Sequence, residues 1–267
     1  VVEQDGRRFL ILNEGHAVFS IYDPDEILTG GPWDYFMLAP LFVASEDSGA
    51  PQDALLIGLA GGTAARQLTA AYGPIPIVGV EIDPEIVDVA RELFALDELG
   101  NVDVVVADGR YALKTSDRRY DLIGVDAYRQ PYIPFQLTSR EFFEEVSQRL
   151  RPGGVAVVNA GRTTSDFRLV DALASTMRDV FPYVLAVDVS RYTNTMLIAS
   201  NEPLTTEALR ENLAAVPEVS PVHEVAAWSL DSGGIRQIDP GGQVFTDDRA
   251  PIELLIDQMI FDAAREI

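Results

Sequence analysis

The rhythm of hydrophobic positions changes at Ala54. Before it, residues 8–22 (RFLILNEGHAVFSIY) read as two short apolar strands around Asn13-Glu14-Gly15, which is a hairpin signal. Residues 33–44 (WDYFMLAPLFVA) are apolar and aromatic and predict a helix with Pro40 near its middle or end. A polar break, SEDSGAPQD, follows. From Ala54 onward, unbroken apolar runs alternate with helical stretches. ALLIGLA leads into a helix reaching Ala71, and IPIVGVEID into a helix from Pro84 to Phe94. NVDVVVAD is followed by GRYALKT, YDLIGVDAY by a helix near 139–150, and GGVAVVNA by a helix near 166–180. YVLAVDV and NTMLIAS predict two more strands. Strands buried on both faces read as continuous apolar runs, and their alternation with helices predicts a doubly wound, mostly parallel α/β sheet.

Helix punctuation supports this register. Asp83-Pro84 places an N-cap before a first-turn proline. Thr138 and Glu141 have capping-box spacing ahead of Phe142, Phe143, Val146 and Leu150, and Arg151-Pro152-Gly153-Gly154 is the stop. The last segment predicts a helix near 205–215, a Gly/Pro-rich stretch at 231–242 and an apolar helix near 251–265. The chain thus divides into a hairpin region (1–50), a core (51–200) and a mixed extension (201–267).

Composition narrows the chemistry. The 267 residues carry 42 acidic and 20 basic side chains, a formal charge of -22, which argues against nucleic acid as a partner and toward cationic small molecules or simple surface solubility. Lys114 is the single lysine, so no phosphate-loop lysine exists. There is no Cys, so disulfides, thiolate nucleophiles and cysteine zinc sites are excluded. His16 and His223 form no metal motif, and none is expected. No stretch approaches the ~18 apolar residues of a membrane helix.

The first strand–helix turn is Gly58-Leu59-Ala60-Gly61-Gly62-Thr63. Ala60 and Thr63 break the G-x-G-x-x-G fingerprint, and Gly58, Gly61 and Gly62 suit the looser turn of S-adenosylmethionine-type transferases. Glu81 ends the second strand, where an acid can accept from ribose hydroxyls. Asp108-Gly109 ends the third, where a carboxylate can receive an adenine amino group, and Asp126 ends the fourth, beside the place for a transferred group. Each acid alone is equally a helix cap or a solvated strand end; the ordered set points to a nucleoside site. Asp247 and Asp248 are either extra cation binders or caps of the final helix. Tyr128, Tyr132 and Phe135 lie in a proline-bearing loop that is either a gate or a packed crossover. Trp33, Tyr35 and Phe36 read first as core.

The hairpin start, the glycine turn, VEIDPEIVDVAREL, VVVADGRYAL, YDLIGVDAY, LTSREFFEEVSQRLRPGGVAVVNAG and TDDRAPIE together resemble the spermidine synthase-like family over residues 8–255. The resemblance implies a class I methyltransferase-like Rossmann core with a small N-terminal β-hairpin domain. It also implies a cytoplasmic homodimer and transfer of an aminopropyl group from decarboxylated S-adenosylmethionine to a small-molecule amine, without metal. Glu81 would then hold the ribose, Asp108 the adenine, and Asp126 would be the base. Two family acids are replaced: Gly61 stands where one pairs with the aminopropyl ammonium, and Arg129 where one binds the diamine. Tyr35 is the candidate counterpart of a family tyrosine. Gly61 with free N–H groups tilts the donor toward intact S-adenosylmethionine. A close Arg129 would lower the pKa of Asp126 and repel polyamines. Three readings stay open: aminopropyl transfer, small-molecule methyl transfer, and a non-catalytic nucleoside-binding or interaction domain.

Overall fold

The computed structural model describes residues 1–12, 17–44, 49–129 and 131–265. Eight strands form one sheet: β4 (Ala54–Ile57), β5 (Ile77–Glu81), β6 (Val102–Val106), β7 (Tyr120–Val125), β8 (Leu150–Gly161), β9 (Tyr183–Asp188), β10 (Asn194–Ser200) and β11 (Ile235–Gln237). Their order is β11-β9-β10-β8-β7-β4-β5-β6. The block from β8 to β6 is parallel, while β10 pairs antiparallel with both β8 and β9. The order reverses between β4 and β7, which is where open α/β sheets form a crevice beyond the strand ends. A separate antiparallel sheet holds β1 (Val2–Gln4), β2 (Arg7–Leu12) and β3 (Ala17–Tyr22). The expected hairpin strands are present, and the Asn13-Glu14-Gly15 turn lies outside the described residues.

Strand alternation divides the core into two layers. Leu55, Ile57, Ile123 and Val125 face α3 (Gly109–Thr115), α4 (Arg140–Arg149), α5 (Arg168–Val180) and α8 (Ile252–Arg265). Leu56, Leu122 and Val157 face α1 (Thr63–Tyr72), α2 (Pro84–Leu93), α6 (Thr206–Leu213) and α7 (Val222–Ser232). The aromatic segment 33–44 packs in this second layer. It is not one helix but two short 3-10 turns, Pro32–Met37 and Ala39–Phe42, separated at Leu38. Proline at the start of each turn and near-complete burial hold the chain in this compact path.

The caps are partly as expected. Asp83 caps α2 by accepting from Glu85 N at 2.9 Å. The cap of α4 is Ser139, accepting from Phe142 N at 3.2 Å, and not Thr138, whose hydroxyl donates to Phe135 O at 2.7 Å. Glu141 accepts from Asp247 N at 2.9 Å, tying the helix to the chain before α8. Leu150 is already extended, so Arg151-Pro152-Gly153-Gly154 begins β8 and does not stop the helix. The element α7 and the edge strand β11 were not expected, because Gly233 and Gly234 with their polar neighbours suggest loop.

The small sheet is clamped to the core at the first turn. Gly61 N donates to Ser20 Oγ at 2.8 Å, and Thr63 Oγ1 both accepts from Ile21 N at 3.0 Å and donates to Ile21 O at 2.9 Å. A Cβ on Gly61 would stand 2.8 Å from Ser20 Cβ and 2.9 Å from Phe94 Cδ1. Gly61→Ala therefore overfills this contact and is expected to destabilise the protein by about 1–3 kcal/mol in urea or thermal unfolding. Unchanged stability would mean that the hairpin is not seated on the turn.

Candidate active site

Beyond the carboxyl ends of β4, β5, β6 and β7 lies a cavity of about 600 Å³. Gly58 stands at its floor with φ +89°. A Cβ there would come 2.4 Å from Asp126 O, so only glycine lets the ends of β4 and β7 meet this closely. Asp126 N in turn donates to Ile57 O at 2.8 Å.

Glu81 is buried and takes three backbone hydrogen bonds. Its Oε2 accepts from Ala60 N at 2.9 Å; its Oε1 accepts from Ile82 N at 2.9 Å and Asp83 N at 3.2 Å. It fixes the glycine turn to the end of β5 while lining the cavity. Asp108 caps α3 by accepting from Tyr111 N at 2.9 Å, and its other oxygen faces Gln136 Nε2 at 3.5 Å. Gly109 is required by packing, since a Cβ would fall 2.3 Å from Ile57 Cγ2. Among the described residues, five carboxylates line this cavity, from Glu81, Asp83, Asp108, Asp126 and Glu253, against one guanidinium, that of Arg129.

A second cavity, of about 540 Å³, is also lined by Asp126. Phe19, Asp126 and Tyr128 line both cavities. Asp126 Oδ1 accepts from Asn159 Nδ2 at 2.8 Å, and Asn159 Oδ1 accepts from Asn194 Nδ2 at 2.9 Å. The Tyr128 hydroxyl donates to Asn159 O at 2.8 Å and accepts from Gly161 N at 2.9 Å, so the loop after β7 is fastened to β8. Although the Asp126 carboxyl opens on the cavities, protein encloses the rest of it. This desolvation pushes its pKa up to about 6, against the opposing pull of Asn159 and the Trp33 indole N–H. The lowering expected from Arg129 is absent. Arg129 is exposed on the rim of the first cavity, and it does not line the second.

Other expectations change with the geometry. Gly61 faces Ser20 and Phe94 and lines neither cavity; its N–H is already used, as is that of Gly62, which donates to Leu59 O at 2.9 Å. The cavity side of the turn is Ala60, held at φ +45°. Tyr35 is core, its hydroxyl bonded to Ser190 N at 3.0 Å. Trp33, grouped with it in the sequence, lines the second cavity instead. Asp247 is an ion-pair partner of Arg110 and accepts from Ser139 Oγ at 2.5 Å; the Arg110 bonds hold its carboxyl below the usual range. Asp248 lines neither cavity. In the loop, Tyr132 and Phe135 line the first cavity, and the Tyr132 hydroxyl donates to Asp257 of α8 at 2.6 Å. Sequence reading missed Asn159, which ends the buried run VVNA with a polar residue just as Asp126 ends its own strand. It also missed Phe19 and Gln136, and it gave the expected helix near 251–265, present as α8, no place in the site, for which position in the chain offers no signal.

Residues 37–205 match the spermine/spermidine synthase domain. A probable polyamine aminopropyl transferase of Bifidobacterium longum is 36% identical over 277 aligned positions, covering 97% of this chain and 60% of that protein. A polyamine aminopropyltransferase of Vibrio vulnificus is 36% identical over 134 residues, covering 49% of this chain and 44% of that protein. The chain therefore spans less than two thirds of the length of these relatives. Among solved structures, a probable spermidine synthase from Corynebacterium glutamicum superposes with TM-score 0.63 at 24% identity, covering 80% of this chain and 78% of that one. Human methyltransferase-like protein 13 in complex with SAH superposes with TM-score 0.59 at 23% identity, covering 73% and 91%. At these identities the structural likeness establishes the fold, an α/β core of methyltransferase type with a small N-terminal sheet. The match over most of the core settles the family: this chain belongs to the spermine/spermidine synthase domain family.

Proposed function

We propose that the chain is an alkyl transferase of the aminopropyl type, moving a group from an adenosyl sulfonium donor to an amine. The observation that carries this reading is that Asp126 lines two cavities at once. The first cavity is the donor side, with Glu81 toward the ribose and Asp108 toward the adenine. Its five carboxylates favour the decarboxylated donor, which has a sulfonium and an ammonium and lacks a carboxylate. Gly61 gives no support to intact S-adenosylmethionine, because its N–H is taken by Ser20. A relative's structure, spermidine synthase in complex with the transition state analogue AdoDATO, has the same fold at TM-score 0.61 and 19% identity.

In the reaction, the amine nitrogen forms a bond to the carbon next to the sulfonium. The C–S bond breaks with its electron pair going to sulfur, which leaves as a neutral thioether. Asp126 takes the proton released by nitrogen. A carboxylate with a pKa of about 6 is ionised at neutral pH and is a stronger base than an ordinary aspartate. Asn159 and Trp33 orient it, and the two cavities align donor and acceptor, which is the larger part of such catalysis.

Calorimetry with methylthioadenosine tests the donor side. Glu81→Ala is expected to weaken binding roughly tenfold or more, since hydrogen bonds to a charged group contribute about 1.5–3 kcal/mol each. Equal affinity would remove Glu81 from the site, and no binding by the wild type would overturn the reading. Asp126→Asn should cost ~10²–10⁴-fold in turnover. In the wild type, kcat/KM should fall as pH drops through about 6, where the base becomes protonated, and the variant's residual activity should lack this acidic limb.

The same raised pKa has a stability consequence. The folded protein keeps the Asp126 proton up to about pH 6, and the unfolded chain releases it near pH 4. Stability is therefore lost as pH rises through that window and stays lower above it. Above pH 6, Asp126→Asn is expected to be more stable than the wild type by about 1–3 kcal/mol, with the gap closing below pH 4. A gap independent of pH in denaturant titrations would contradict the assignment.

A further inference from the structure

The second cavity carries charge of both signs. Among the described residues, Asp126 is the only carboxylate lining it and Arg162 the only guanidinium. The rest of the wall is polar but uncharged (Asn159, Thr193, Asn194) or apolar (Trp33, Ile256, Met259). Arg162 follows the end of β8, three residues beyond Asn159, the partner of Asp126. The one cavity thus offers both a base and a cation.

Arg162 is held firmly and remains available. Its guanidinium lies over the Phe167 ring at 4.8 Å, Nε donates to Thr195 Oγ1 at 3.2 Å, and Nη1 donates to Thr163 O at 3.1 Å. Among the described residues, Nη2 makes no hydrogen bond and is not sealed from solvent. Asp188 neutralises the guanidinium only in part. Its Oδ1 is 3.8 Å from Arg162 Nε but accepts from Thr195 Oγ1 at 2.5 Å, and its Oδ2 accepts from Arg236 Nη1 at 2.8 Å. A second ammonium in this cavity would meet a cation. A carboxylate would meet a preorganised fork of donors.

We infer that the acceptor is an ω-amino carboxylate, its amine directed to Asp126 and its carboxylate to Arg162, so that Arg162 sets acceptor specificity. This rests on the transferase reading above and names its acceptor class. Bond making and breaking are those already described: the acceptor nitrogen gains the alkyl group and loses one proton to Asp126, sulfur leaves as the thioether, and the carboxylate is unchanged.

The test compares 5-aminopentanoate, cadaverine and n-pentylamine, which share a five-carbon chain and differ at the far end. With decarboxylated S-adenosylmethionine as donor, thioether release and the mass of the adduct are followed. The wild type should favour 5-aminopentanoate over cadaverine by roughly tenfold or more in kcat/KM. Arg162→Met should erase that preference by lowering kcat/KM for 5-aminopentanoate far more than for n-pentylamine; Arg162→Lys should retain part of it. Calorimetry of the three amines in the presence of methylthioadenosine gives the same ranking without turnover and shows that each variant is folded. A wild type that prefers cadaverine, or a preference that Arg162→Met leaves intact, overturns the inference while the transferase reading stands. If no amine releases the thioether and methylthioadenosine does not bind, the transferase reading fails and the inference falls with it.

Discussion

At the carboxyl ends of β4 and β7, the Gly58 backbone lies against the Asp126 carbonyl so closely that a side chain would stand 2.4 Å from that oxygen. This contact fixes where the Asp126 carboxylate sits. Two neighbouring parallel strands end at one level, and the chain leaves them in opposite directions, into α1 on one face and into the loop before α4 on the other. The crevice that results is the general ligand position of an open α/β sheet. Here Phe19, Asp126 and Tyr128 line both of two cavities, and the chemistry proposed for the protein depends on Asp126 being shared between them.

Asp126 is fastened in this shared wall without being neutralised. Asn159 and Trp33 supply neutral donors, and no ion pair of Asp126 is present among the described residues. Burial therefore dominates and raises the pKa. An arginine at hydrogen-bond distance would have kept the group ionised and made it a poorer base. The arginines serve elsewhere: Arg110 joins Glu145 and Asp247, Arg151 holds Asp53, and Arg168 links Asp166 to Asp262 of α8. Such pairs contribute little each when exposed, and of these Arg168–Asp262 reaches the last helix. Since α8 lines both cavities through Glu253 and Ile256, the C-terminal segment is part of the site.

The expectation for Arg129 illustrates what spacing along the chain can and cannot determine. Three residues after a strand end is close in sequence, but the loop turns at the Arg129–Tyr132 bridge and carries the guanidinium to the outer rim. Gly61 errs in the same way. Lying in the glycine turn, it reads as ligand-facing, but alternate residues of a tight turn face opposite sides, and β3 occupies its side.

The sequence by itself determined the parallel core, the strand ends bearing Glu81, Asp108 and Asp126, and the family. These follow from local rules: buried strands read as apolar runs, and a polar residue ending such a run must meet solvent, a cap or a ligand. Tertiary structure alone decided that Arg162, Trp33, Asn159 and α8 share a cavity with Asp126. It also decided that Tyr35 is core and that the aromatic segment forms 3-10 turns. Those outcomes depend on residues as far apart in the chain as Phe19 and Met259 lining one cavity, brought together by the sheet's crossovers, and no local pattern encodes which distant side chains will meet.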